Sequence, residues 1–292
     1  MNLEFILFFF VSLAIVSFAR ALNFTQTKPG CQLKCGNVNI PYPFGVGANC
    51  SLGEWGNVHC NTTFNPPKPF IYKTVEVLQI STTEVRTRTL VAFACYNESG
   101  VKVNSSEYWW NFTGTPYTIS STKNKITAIG CDTSLFTYLN SNRISSGCST
   151  SCKKSEDVIF EPCSGIGCCQ MPVPNGMTIF SASVDSYWNH RKVWSFDPCS
   201  AAFIGEEGVY KLKMSDFSNT TSLEDIPMVL NFAVGNKTCK DAEKDSASYL
   251  CKENSYCYDA VDGAGYLCTC KKGYDGNPYL QHSCQGMKYI TE

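Results

Sequence analysis

Residues 239–284 read CKDAEKDSASYLCKENSYCYDAVDGAGYLCTCKKGYDGNPYLQHSC, with cysteines at 239, 251, 257, 268, 270 and 284. A segment this short buries too little apolar surface to fold unaided. Three bridges, each contributing roughly 2–4 kcal/mol by restricting the unfolded chain, make up the deficit. A Cys268-x-Cys270 pair, with Gly265-Tyr266 before it and Gly273-Tyr274 after it, gives the segment its pattern. Upstream, the cysteine density falls and a strand-like run ends near Val234, which marks a module boundary.

Working outward, the chain holds 18 cysteines, an even number, and all of them follow residue 30. That usage predicts a disulfide framework in an oxidising compartment. The N-terminus agrees: Phe5 to Phe18 is apolar apart from Ser12 and Ser17, and Ala19-Arg20-Ala21 follows as a small-x-small cleavage site. Residues 1–21 therefore read as a secretory signal peptide, although Glu4 stands where a basic residue is usual. Asn-x-Ser/Thr acceptors at Asn23, Asn49, Asn61, Asn97, Asn104, Asn111, Asn219 and Asn236 predict a glycoprotein. No later run approaches membrane-spanning length, so the expected location is extracellular.

The fold class expected is all-β and cysteine-rich: two small disulfide-stapled β modules followed by a third, residues 236–287. Strand patterns occupy 71–78, 83–96, 117–121, 126–129, 177–184, 209–214 and 229–234, punctuated by Gly, Pro, Asn and Ser. Residues 199–207 carry the one helical pattern in the body. The twelve upstream cysteines admit too many pairings for any to be assigned.

The cysteine pattern of 239–284 resembles the EGF-like module, which implies Cys239–Cys257, Cys251–Cys268 and Cys270–Cys284. Calcium-binding EGF modules carry oxygen ligands just before the first cysteine. Here Asn236-Lys237-Thr238 puts a lysine there, so no metal is expected. At the other end, Gly30-Cys31-x3-Cys35-Gly36-Asn37, then Ile40-Pro41-Tyr42-Pro43-Phe44-Gly45 and Cys50, resembles the galacturonan-binding module of plant wall-associated kinases. Pieces similar to that family follow in order: Ala128-Ile129-Gly130-Cys131, Gly165-Ile166-Gly167-Cys168-Cys169-Gln170 and Gly276-Asn277-Pro278-Tyr279. The resemblance implies a receptor-type ectodomain divided as 28–147 (signature 30–50), 148–235 and 236–287. It implies binding of pectin, as homogalacturonan or oligogalacturonides, with the kinase and membrane span of the family not found in this chain.

An acidic polysaccharide calls for cations. The net charge is −1, but residues 22–150 hold ten Lys/Arg against six Asp/Glu, whereas 151–292 hold thirteen against eighteen. Within the first part Arg86 and Arg88 stand two apart on an expected strand, and so share a face. Lys123 and Lys125 repeat the spacing. Arginine suits bidentate carboxylate pairing. Trp109 and Trp110, in a dense aromatic cluster, are candidates for stacking on sugar rings. Against these stand ordinary readings: solvent-facing charges on half-buried strands, and tryptophans filling a core.

No catalytic motif is present: Gly-x-Ser-x-Gly and His-Glu-x-x-His are absent, and the three histidines lie far apart. No cofactor and no nucleic-acid partner are expected. The alternative to a polysaccharide binder is a protein- or peptide-binding soluble decoy or scaffold. The two differ in salt dependence, which is steep for a polyanion site and weak for an apolar contact.

Overall fold

A computed structural model describes residues 26–139 and 144–286. The signal-peptide reading and the sequon at Asn23 lie outside the described residues. The first strands are β1 (Lys34–Cys35), β2 (Val38–Asn39), β3 (Val58–Asn61), β4 (Lys68–Ile71), β5 (Val75–Ile80) and β6 (Glu84–Arg88). Next come β7 (Val91–Tyr96), β8 (Lys102–Ser106), β9 (Tyr108–Asn111), β10 (Tyr117–Ile119) and β11 (Asn124–Ile129). The body is completed by β12 (Asp132–Leu139), β13 (Ile144–Ser151), β14 (Cys168–Pro172), β15 (Ile179–Asp185), β16 (Cys199–Glu206) and β17 (Pro227–Phe232). After it come one helical turn, α1 (Cys239–Ala242), and the strands β18 (Ser255–Asp259), β19 (Tyr266–Cys270), β20 (Tyr274–Asp275) and β21 (Gln285–Gly286).

Besides the small β1-β2 ladder, three sheets form the body, in the orders β10-β17-β6-β5-β4-β3, β14-β11-β16-β7-β8 and β13-β12-β15-β9. One apolar core takes side chains from all three, among them Ile71 and Val85, Ala128 and Ile204, Leu135 and Phe180. The chain is all-β, and nine disulfides with no free cysteine account for all 18 cysteines. Cys239–Cys257, Cys251–Cys268 and Cys270–Cys284 are joined in the C-terminal segment. The body carries Cys31–Cys50, Cys35–Cys60, Cys95–Cys199, Cys131–Cys152, Cys148–Cys169 and Cys163–Cys168.

Four expectations need correction. Residues 199–207 are no helix: β16 lies between β11 and β7, buried at every position before Glu206. A strand covered on both faces loses the alternation that announces strands, and its Ala-rich run then reads as helical. Residues 209–214 are no strand: 210–213 have no regular structure and a 3-10 turn starts at Met214, where the Asp216 carboxylate accepts Tyr210 Oη at 2.7 Å and the Lys213 N–H at 2.9 Å. The run 71–78 is broken by a hairpin turn at Tyr72–Thr74, and 83–96 by a corner at Thr89–Leu90 where the chain passes from one sheet to the next. Apart from these four, the point between residues 147 and 148 lies inside β13. Strands from either side of it interleave: β17 sits between β10 and β6, and β16 pairs with β7. Pairings between strands so distant in sequence leave no local mark.

The C-terminal segment is docked closely on this body. Val234 and Tyr266 exchange backbone bonds of 2.8 and 3.1 Å, and Leu267 enters the main core. A Cβ at Gly265 would stand 2.7 Å from the Gly235 oxygen and 2.9 Å from Ala233 Cβ, so only glycine permits this approach. Asn277, 1% exposed, donates from Nδ2 to the carbonyls of Tyr42 (2.6 Å) and Gln26 (3.1 Å). Tyr42 in return packs with Tyr266 and Tyr279. The two motifs singled out at opposite ends of the sequence thus hold each other.

Candidate functional site

The expected cations are largely spoken for. Arg86 Nε and Nη2 grip Glu206 with bonds of 2.7–3.2 Å. Arg88 holds Glu76 at 2.9 Å and also contacts Asp225. Burial works to neutralise Glu76, but Arg88 and Lys68 outweigh it and keep its carboxyl below the usual range. Lys125 lies 3.4 Å from Glu207, and Lys102 4.0 Å from Asp185. In each of these pairs except Glu76 the acid comes from the acidic second part of the chain, so the fold cancels the charge asymmetry between the two parts.

Lys123 forms no ion pair with a described residue. It lines a cleft of about 690 Å³ between the body and the C-terminal segment, with Trp55, Asn231, Tyr258 and Asp262. That cleft also takes Glu84, whose Oε2 is buried without a partner. Asp262 is a clasp across the junction, accepting Ser121 N–H (3.0 Å), Ser121 Oγ (2.7 Å) and Asn231 Nδ2 (2.6 Å). Two carboxylates against one ammonium make the cleft a poor host for an acidic polymer. Trp110 is 9% exposed and stacks on Phe112 inside the core, whereas Trp109 on the opposite face is 64% exposed.

A second cavity has a different balance of charge, Lys73 against Glu54. The hairpin turn between β4 and β5 carries Tyr72 and Lys73 at φ of 51° and 63°, the left-handed region, which costs about 1–3 kcal/mol per non-glycine residue. Sequence reading missed it, because Tyr-Lys-Thr holds none of the Gly, Asn or Asp that announce such a turn. Lys73 is exposed and forms no ion pair with a described residue; Tyr72 is half-exposed and edge-on to Tyr117. Both line a cavity of about 350 Å³ with His59, Asn57, Glu54 and Val46. Cys60, bridged to Cys35, also lines it.

One buried constellation has the members of a hydrolase triad. His190 Nε2 lies 2.8 Å from Ser200 Oγ, and Nδ1 lies 2.6 Å from the Asp197 carbonyl and 3.4 Å from its carboxylate. All three residues are 0% exposed, and Ser200 Oγ is 2.8 Å from Thr133 Oγ1, so no substrate can reach the serine. The set is a structural network. Among the described residues, the His/Cys/Asp/Glu group spaced for a metal is Cys239, Glu243 and Cys257, and its two cysteines are joined to each other. Asp259 is occupied in holding the Cys239 N–H at 2.6 Å.

Of the sequons, Asn49, Asn104, Asn111, Asn219 and Asn236 are exposed, and Asn61 and Asn97 half-buried. Among the described residues no helix is long and apolar enough to cross a membrane.

Residues 31–91 match the family model described as wall-associated receptor kinase galacturonan-binding. Over 263 residues, 89% of this chain, it is 33% identical to wall-associated receptor kinase 2 of Arabidopsis thaliana. Kinases 4 and 1 of the same plant are 32% and 31% identical over 97% and 98% of the chain. The chain spans 35–38% of the length of these relatives. No solved structure matches it.

Proposed function

As this chain belongs to the wall-associated receptor kinase family, we propose that it is a ligand-binding extracellular region that holds the pectic polymer homogalacturonan, or its oligogalacturonide fragments, in the plant cell wall. The observation that carries this reading lies in the matched segment 31–91. It contains a cavity where Lys73, an ammonium without an ion pair among the described residues, stands with a half-exposed aromatic ring, Tyr72, an imidazole, His59, and one carboxylate, Glu54. The ring offers a face to the apolar side of a pyranose, and the ammonium offers a partner to its carboxylate. Exposure of five sequons supports a glycosylated protein. Arg86 and Arg88 serve the fold in this reading, because a ligand carboxylate would have to displace Glu206 and Glu76 from partly buried pairs.

The test is binding of the glycosylated protein to de-esterified polygalacturonate across a salt series. Affinity should fall steeply as salt rises, since exposed charge pairs are screened over about 8 Å at physiological ionic strength. Lys73→Ala should weaken it about two- to fivefold. Salt-independent capture of a protein or peptide, with no polygalacturonate bound at low salt, would instead favour the decoy or scaffold reading.

A further inference from the structure

The four-stranded sheet β13-β12-β15-β9 buries one face and turns aromatic rings to solvent on the other. Leu135, Trp110, Phe180 and Ala182 fill the inner side. On the outer side Phe136 and Tyr138 of β12 are 53% and 58% exposed, and Trp109 of β9 is 64% exposed. The register aligns Tyr138, Ser181 and Trp109 in one row across the sheet, and puts Phe136 between Ser183 and Gly147 in the next. Strand spacing separates Tyr138 from Trp109 by about 10 Å, and Phe136 lies about 7 Å from Tyr138 along β12.

A fourth ring completes the strip. Tyr187, 69% exposed, shares a shallow recess with Phe136 and Ser149. Its loop is held by Asp132, 6% exposed, whose carboxylate accepts the N–H groups of Tyr187 (3.1 Å), Trp188 (3.0 Å) and His190 (3.1 Å) and the Ser186 hydroxyl (2.5 Å). Burying a carboxylate is costly unless it is so satisfied. Here it orders a loop that presents a ring to water, and exposed apolar strips of this kind mark contact surfaces.

We propose that this face is a second saccharide-binding surface, on which the apolar faces of uncharged pyranose rings stack. It is separate from the cavity at Lys73 and does not rest on that assignment. Charge selects the occupant. The residues between the rings are serines and glycine, and the outer-face positions of β12, β15 and β9 include no Lys or Arg. Asp185 at the far end stands 4.0 Å from Lys102. An acidic polymer would meet no Lys or Arg on the outer faces of β12, β15 and β9, whereas a neutral polysaccharide needs only ring faces and hydroxyl partners.

The test uses the full glycosylated protein and soluble xyloglucan oligosaccharide, followed by calorimetry and tryptophan fluorescence. Binding should persist from about 0.05 to 0.5 M salt, beyond the range where exposed charge pairs survive. Trp109→Ala and Tyr138→Ala should each weaken it about two- to tenfold, the scale of one lost ring contact. Tyr256→Ala, an equally exposed tyrosine in β18, should leave it unchanged, as should Lys73→Ala. Asn111 lies two residues from Trp109 on the same face, so Asn111→Gln is the decisive companion. Binding seen only in Asn111→Gln would show that the strip carries the protein's own glycan and would overturn the proposal. Absence of binding in both forms, or equal loss in Tyr256→Ala, would overturn it as well.

Discussion

Arg86 shows how a residue that looks available in a sequence becomes structural in a fold. Its side chain is 25% exposed and its fork is closed on Glu206, itself 15% exposed. Truncating Arg86 to alanine leaves that carboxylate short of its partner, at a cost of about 1–3 kcal/mol. The expected result for Arg86→Ala is a lowered urea midpoint with unchanged polygalacturonate affinity in the folded fraction, and Lys73→Ala should give the reverse. His190 supplies a pH signature. Burial disfavours its charged ring, but the hydrogen bond and charge of Asp197 outweigh burial and raise its pKa. A raised folded value means the contribution is complete below the unfolded value of about 6.5 and is lost as pH rises through the folded one. Thermal melting should therefore show stability declining from pH 6 towards pH 8. His190→Gln should be less stable throughout and flat across that window.

Among the elements, β16 and the docked EGF-like segment carry the most consequence. β16 is the strand through which β11 and β7 share a sheet, and its burial on both faces is why it reads as a helix in isolation. The docked segment owes its position to a few polar clasps as well as to Leu267. Replacing Asn277 with alanine strands the Tyr42 and Gln26 carbonyls and should cost about 1–3 kcal/mol. Asn277→Asp should be at least as damaging, because a carboxylate would then face two carbonyl oxygens. Limited proteolysis in the 235–238 segment, compared with the urea midpoint, would show whether docking is lost before the body unfolds. If Asn277→Ala leaves both unchanged, the clasp contributes nothing to the junction.

For the molecule as a whole, cross-links of different reach should matter unequally. Cys95–Cys199 spans 104 residues and Cys163–Cys168 only 5. Chain-entropy reasoning assigns about 4.7 kcal/mol to the first and about 2 kcal/mol to the second. Paired Cys→Ala variants, ranked by urea unfolding, should follow that order. The same contrast between near and far governs what could be read in advance. Cysteine number and spacing, the Gly-aromatic positions and the alternating apolar runs are local, and they determined an all-β, disulfide-rich chain with an EGF-like C-terminal segment. Which strands interleave, that Glu206, Asp225, Asp185 and Glu207 would neutralise Arg86, Arg88, Lys102 and Lys125, and which of Trp109 and Trp110 would face the core were decided only by tertiary structure. Those outcomes depend on contacts between residues tens to more than a hundred positions apart, where neither periodicity nor composition carries any record of the partner.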